Sequence, residues 1–135
     1  MTVAHLPSEV LETAYRSGLE FGWRVEQFPS ALRLAATKGF ACIGGQFQWV
    51  LPDGTCEAYW LNADAAPRQP DETWPNFAVR CEQQVLESFA QLVSSVNFDI
   101  EADRFEFLKN KKAQGISIAE HLLFVAYFSS EGQDA

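Results

Sequence analysis

The hydrophobic and polar positions divide the chain into segments of distinct period. From Ser8 to about Phe21, Val10, Leu11, Ala14, Tyr15 and Leu19 recur at helical spacing. Ser8 stands where an N-cap would, and Glu9 and Glu12 fall in the first turn, where the helix dipole favours acids. Gly18 and Gly22 weaken the end of this predicted helix. A second helix is predicted from Pro29 or Ser30 to Lys38. Proline suits a helix start, Leu32, Ala35 and Ala36 give a small apolar face, and Gly39 is a natural stop.

The period then changes to two. Gln46–Leu51 and Thr55–Leu61 read as strands joined by Pro52-Asp53-Gly54, in which proline presets the first turn position and glycine supplies a positive φ. With Leu51 opposite Thr55, the odd positions Phe47, Trp49, Leu51, Tyr59 and Leu61 share the core face. Gln46, Gln48, Val50, Cys56, Ala58 and Trp60 then take the other face, with Trp60 exposed. A slip of one residue inverts that assignment. Gly44-Gly45, with no phosphate-loop pattern or helix after it, marks a bulge or a close approach of another backbone.

Asn62 to Asp71 is a predicted loop. The strongest helix follows, from Thr73 to Val96, with Trp74, Phe77, Ala78, Cys81, Val85, Phe89, Leu92, Val93 and Val96 in one stripe. Glu101 to Ala113 reads as a helix closing at Gly115, acids early and lysines late. Phe98, Ile100 and Ala102 alternate with acids, so a strand stays open there. Ser117-Ile118-Ala119-Glu120 has the spacing of a capping box. The run Leu122–Phe128 is apolar all round, either a helix buried on most sides or a central strand, and its period cannot separate the two. The expected fold is one α+β domain over residues 1–135. A small antiparallel sheet built on the 46–61 hairpin packs against the long 73–96 helix and several shorter helices.

Composition narrows the class. A chain of 135 residues with 47% apolar and 21% charged residues is globular and of one-domain size. Eighteen acids against ten bases give a net charge of −8, which excludes the basic face that nucleic acid or an anionic membrane requires. The start Met1-Thr2-Val3-Ala4-His5-Leu6-Pro7 has neither a basic nor an apolar region of signal-peptide type. Leu122–Phe128, the longest apolar run, is far short of the about 20 residues that span a bilayer. A reducing cytoplasm is therefore expected. Cys42, Cys56 and Cys81, odd in number and widely spaced, suit buried hydrophobes rather than a disulfide framework or a zinc knuckle.

Candidate chemistry is sparse. The histidines are His5 and His121, with no metal-binding spacing and no evident nucleophile beside them. His121 opens an apolar segment and reads as a half-buried histidine. Asp99, Glu101, Asp103 and Glu106, like Asp71 and Glu72, sit at predicted helix starts among polar residues, where caps and solvated faces account for them. No catalytic residue, cofactor or metal is expected. The alternative is a small-molecule or enzymatic pocket, lined by some of the 18 aromatic residues, near His121.

The acids are unevenly distributed. Asp53, Glu57, Asp64, Asp71 and Glu72 face Arg68 alone between positions 53 and 72, with Trp60 and Trp74 nearby. Acidic charge beside an aromatic anchor suits a protein partner. The expected partner-binding residues are Asp53, Glu57, Trp60, Asp64, Asp71 and Glu72. The stretch Gly44-Gly45-Gln46-Phe47-Gln48-Trp49 through Pro52-Asp53-Gly54-Thr55 to Tyr59-Trp60-Leu61, with Trp74 beyond, resembles small bacterial domains. The profile of the whole chain is similar to immunity proteins of bacterial polymorphic-toxin and contact-dependent systems, compact acidic α+β chains that block a co-encoded toxin. The resemblance implies a non-enzymatic inhibitor of a basic protein, such as a nuclease toxin. It assigns no residue roles, because such proteins share no common motif.

Overall fold

The computed structural model describes residues 5–132; Met1 to Ala4, on which the reading of the start partly rests, lie outside the described residues. The elements run α1 (Ser8–Leu11), β1 (Tyr15–Ser17), β2 (Glu20–Trp23), α2 (Phe28–Thr37), β3 (Ala41–Leu51), β4 (Gly54–Asp64), α3 (Trp74–Ser95), α4 (Phe98–Ala102), α5 (Glu106–Ala113), a 3-10 turn (Ile118–His121) and β5 (Leu122–Ser129). The strands form one antiparallel sheet in the order β1-β2-β5-β3-β4. The fold is α+β, with α3 lying on β3 and β4 and against α2 on one face of the sheet.

The predicted hairpin forms, but one residue out of the expected register. Leu51 pairs with Gly54 and Val50 with Thr55, so Cys56 and Ala58 join Phe47, Trp49 and Leu51 on the core side. Between Gln46↔Asn62 and Phe47↔Ala58 the residues Tyr59, Trp60 and Leu61 bulge out of the ladder. The bulge resets the parity, and Leu61 and Ala63 face the core beyond it. Tyr59, expected inside, is instead 71% exposed. The Gly44-Gly45 pair marks both expected features: a bulge lies between Cys42 and Gly44, and β5 passes close over Gly45.

Three helical expectations are corrected. The helix from Ser8 ends at Leu11, and the chain then forms the β1–β2 hairpin, turning at Gly18 with φ +65°. The helical spacing there includes Leu19, which is 82% exposed, so it reports no buried face. The helix expected over 101–113 is two helices. Asn97 caps α4 by accepting from the Ile100 amide at 3.1 Å, and the chain turns at Asp103–Arg104 before α5. The capping box at Ser117 makes no side-chain cap; one 3-10 turn leads into β5. β5 is central and covered on both faces over Leu122–Ala126, which is why the run has no period. The 73–96 helix holds as α3, with the Thr73 hydroxyl accepting from the Asn76 amide at 3.3 Å and Pro75 in the first turn.

The core is aromatic. Phe28 of α2, Phe47 of β3, Phe89 of α3 and Phe124 of β5 form one cluster, with ring centroids 4.6 to 5.6 Å apart. Trp23 closes the β2 side against Phe28 and Phe128. Among the described residues, no helix is long and apolar enough to cross a membrane.

Candidate functional site

The helices cover one face of the sheet, and the register dictates what the other face carries. Reading across the strands, Ser17, Glu20, Tyr127, Gly44 and Asp64 form one row. The rows beside it carry Gln46 and Asn62, then Leu123, Gln48 and Glu57. This face is curled. β1 and β3 are three strand spacings apart, about 14 Å in a flat sheet, yet the Ser17 hydroxyl donates to Gln48 Oε1 at 3.0 Å. The β1–β2 hairpin therefore folds over β5 and covers Leu123 and Val125. Gly22 allows it, since a Cβ there would lie 3.0 Å from Val125 Cγ2 and 3.1 Å from Leu123 Cβ.

The curl leaves an acidic strip. Gln48 is 99% buried and passes its bond onward, its Nε2 donating to Glu57 Oε1 at 3.4 Å. Gln46 Nε2 donates to the same oxygen at 2.9 Å. The Asp64 carboxylate leans over Gly44, into space that a Cβ would occupy, and accepts from Asn62 Nδ2 at 2.6 Å. Burial, then the Glu20 carboxylate beside the hydroxyl, then the charges of Glu57 and Asp64 push the Tyr127 phenol up to about 12. Glu20, Glu57 and Asp64 thus converge on Tyr127, and among the described residues none of the three has a lysine or arginine partner. Glu87 of α3 lines a shallow groove together with Asp64.

The residues expected from the sequence separate. Glu57 and Asp64 lie in the strip. Asp53, at the hairpin tip, is paired with Lys111 of α5, whose ammonium holds the carboxyl below its usual range. Trp60 is half-buried: its indole N–H donates to Glu101 Oε1 at 2.7 Å, and its ring stacks on Phe105 under the Arg104 guanidinium. Asp71 is exposed in the loop before α3. Glu72 is bound by Arg80 through both carboxylate oxygens, at 2.7 and 2.8 Å. Arg80 also donates to the carbonyls of Ala66 and Pro67, so this pair fastens the loop to α3. Glu20 and Tyr127 were invisible to the sequence reading because only strand pairing brings residues 20, 64 and 127 together.

The Glu72–Arg80 pair has a pH signature. The guanidinium bonds first, and the Gln69 amide second, hold the Glu72 carboxyl down to about 2 against its ordinary 4.5. A depressed carboxyl stabilises the fold fully above its unfolded value and loses that contribution as pH falls through its folded value. The stability difference between wild type and Arg80→Gln is expected to shrink as pH falls from about 4.5 towards 2. Chemical denaturation across that window checks it; a constant difference would mean that the carboxyl is not what Arg80 stabilises.

Nucleophilic chemistry finds no support. Cys42, Cys56 and Cys81 are buried free thiols, and burial pushes Cys42 and Cys56 up, away from the reactive thiolate. No cysteine lines the cleft beside His121. Asp99 and Asp103 share Lys112, and Glu101 pairs with Arg104. Among the described residues no group of His, Cys, Asp and Glu is placed to hold a metal. A groove of about 580 Å³ between the 65–70 loop and Phe77 has Arg68 as its one ionisable lining residue among the described residues. Comparison with protein-family models, with curated proteins and with solved structures finds no match to the chain.

Proposed function

We propose that the chain is a non-enzymatic binding protein that neutralises a basic protein partner, as an immunity protein does a secreted bacterial toxin such as a nuclease. The observation that carries this reading is the strip of Glu20, Glu57 and Asp64 on the open sheet face. Among the described residues these carboxylates have no lysine or arginine partner, whereas Asp53 and Glu72 are consumed by Lys111 and Arg80. Charges held close together without counter-charge attract a complementary surface and accelerate its encounter. The strip replaces the longer acidic stretch as the binding region. Tyr59, 71% exposed in the β4 bulge, replaces Trp60 as the available aromatic anchor.

The test begins with the neighbouring gene. A secreted protein with a basic C-terminal domain is expected there, and co-expression of this chain should protect cells from that domain. Reversing Glu20, Glu57 and Asp64 to lysine should slow association about tenfold to a hundredfold at low salt and flatten its salt dependence. Asp71→Lys should do neither. A metabolic gene neighbourhood without protection would overturn the reading. Protection with unchanged association kinetics in the triple variant would overturn the strip alone.

A further inference from the structure

Among the described residues β4 pairs with β3 alone, so its outer edge carries no ladder. Antiparallel strands alternate bonded and non-bonded pairs, and the alternation fixes which backbone groups point outward. Leu51↔Gly54 closes a two-residue turn and is a bonded pair, and beyond the strand the Ala65 amide donates to the Ile43 carbonyl at 2.9 Å. The odd positions of β3 therefore bond to β4, and Gln46↔Asn62 and Gly44↔Asp64 are non-bonded pairs. Asn62 and Asp64 thus aim their backbone N–H and C=O away from the sheet, and no described loop or side chain takes those groups. The next outward N–H in the row is occupied: the Ala66 amide donates to Gln84 Oε1 of α3 at 3.0 Å. That bond closes one end of a groove of about 540 Å³ beside the open stretch, lined by Asp64, Gln84, Glu87 and Ser88. Asp64 and Glu87 are exposed, and neither has a lysine or arginine partner among the described residues.

We infer that this edge receives an extended basic segment of the protein partner, which adds a strand beside Asn62–Asp64. The inference rests on the proposed basic partner and names how that partner is held. The added strand takes the outward N–H and C=O groups of Asn62 and Asp64 in main-chain bonds, and its side chains alternate between the two faces of the sheet. On the open face they meet Asp64, and on the helix side Glu87, so lysine or arginine finds a carboxylate either way. The same charge decides against a second copy of this chain. Its edge would bring another Asp64 and another Glu87 to a groove that already holds two carboxylates without a cation. The Tyr59–Leu61 bulge interrupts the edge just before Asn62, which keeps the pairing short and blocks indiscriminate strand addition.

The probe is the capped heptapeptide TKKTKKT, whose threonines favour an extended chain and whose adjacent lysines reach both faces. It is titrated into the full chain and followed by amide NMR and hydrogen exchange. Saturable shifts are expected at Asn62 and Asp64, with exchange of these amides slowed at least about tenfold at saturation. The same peptide N-methylated at its central residues keeps its charge and loses its edge donors. It should bind at least about tenfold more weakly, the usual effect of losing one or two hydrogen bonds. Glu87→Lys, which leaves Glu20, Glu57 and Asp64 intact, should weaken TKKTKKT by a similar factor. The N-methyl comparison needs no variant, so it decides the matter if Glu87→Lys fails to fold. Equal binding of the N-methylated peptide, shifts away from Asn62–Asp64, or no saturable shift at millimolar peptide would overturn the inference. Concentration-dependent shifts of the same amides without peptide would give the edge to a second copy and overturn it equally. Failure here removes the added strand alone, because protection against the neighbouring gene's product is a separate result.

Discussion

Replacing Phe124 by alanine is expected to destabilise the protein by about 3–5 kcal/mol, the usual cost of removing a core phenylalanine. The upper half of that range applies because the ring joins the sheet to both of its main helices. It lies 4.6 Å from Phe28 of α2, 5.0 Å from Phe47 of β3 and 5.1 Å from Phe89 of α3. It is fully buried at the centre of the sheet, so no neighbour can swing in from the surface to fill the space. Those neighbours are themselves anchored on three different elements, and collapse of the cavity would require α2 and α3 to approach β5 together. Against a typical total of about 5–15 kcal/mol, such a loss leaves a marginal fold. Urea denaturation measures it, with Phe124→Leu as the reference that keeps most of the volume. A loss below about 1.5 kcal/mol in the alanine variant would mean that the two layers are held together elsewhere.

The parts of this fold that the sequence reveals are those fixed by neighbours along the chain. Pro52-Asp53 sets a turn locally, and the stripe from Trp74 to Phe89 sets an amphipathic helix locally, so both elements are read correctly, although Gly54 pairs with Leu51 as the first residue of β4 and does not take the positive φ expected of it. The register of the hairpin is less local. Leu51↔Gly54 differs from Leu51↔Thr55 by one residue, and only the Tyr59–Leu61 bulge reconciles it with a buried Leu61. The β1–β2 hairpin depends on distant partners: Trp23 is buried by Phe28 and Phe128, and nothing around residue 23 signals that. The alternation of Tyr15-Arg16-Ser17 and Glu20-Phe21-Gly22-Trp23 around Ser17-Gly18-Leu19 is the local signal that could have found it, but a chance helical spacing masks it. The binding strip follows the same logic. Glu57 and Asp64 belong to the hairpin and are legible there. Glu20 and Tyr127 enter only because β2 and β5 complete the row that Gly44 leaves open. Charge density along the chain also misleads, because Asp53 and Glu72 find their cations 58 and 8 residues away.

Gly45→Ala is expected to cost about 3 kcal/mol or to prevent folding, through overpacking rather than a cavity. A Cβ at Gly45 would lie 2.5 Å from the Val125 carbonyl oxygen and 2.6 and 2.8 Å from two carbons of the Phe124 ring. The first obstacle is backbone, and it belongs to the strand to which Gly45 is paired through Ala126, so it cannot move without opening the β3–β5 ladder. Gly54→Ala is the matched control. The nearest atoms to its added Cβ would be the far end of the Phe107 ring, at 2.8 Å, a half-buried side chain of α5 rather than backbone. That change should cost well under half as much. The two obstacles at Gly45 can be separated with Phe124→Ala, since deleting the ring removes the second and leaves the carbonyl. The double variant should therefore be more stable than the sum of the single losses predicts, by about 1 kcal/mol or more, a coupling expected of residues in contact. Strict additivity would show that the carbonyl alone excludes a side chain at position 45. Equal costs at Gly45 and Gly54 would show that neither close approach is rigid.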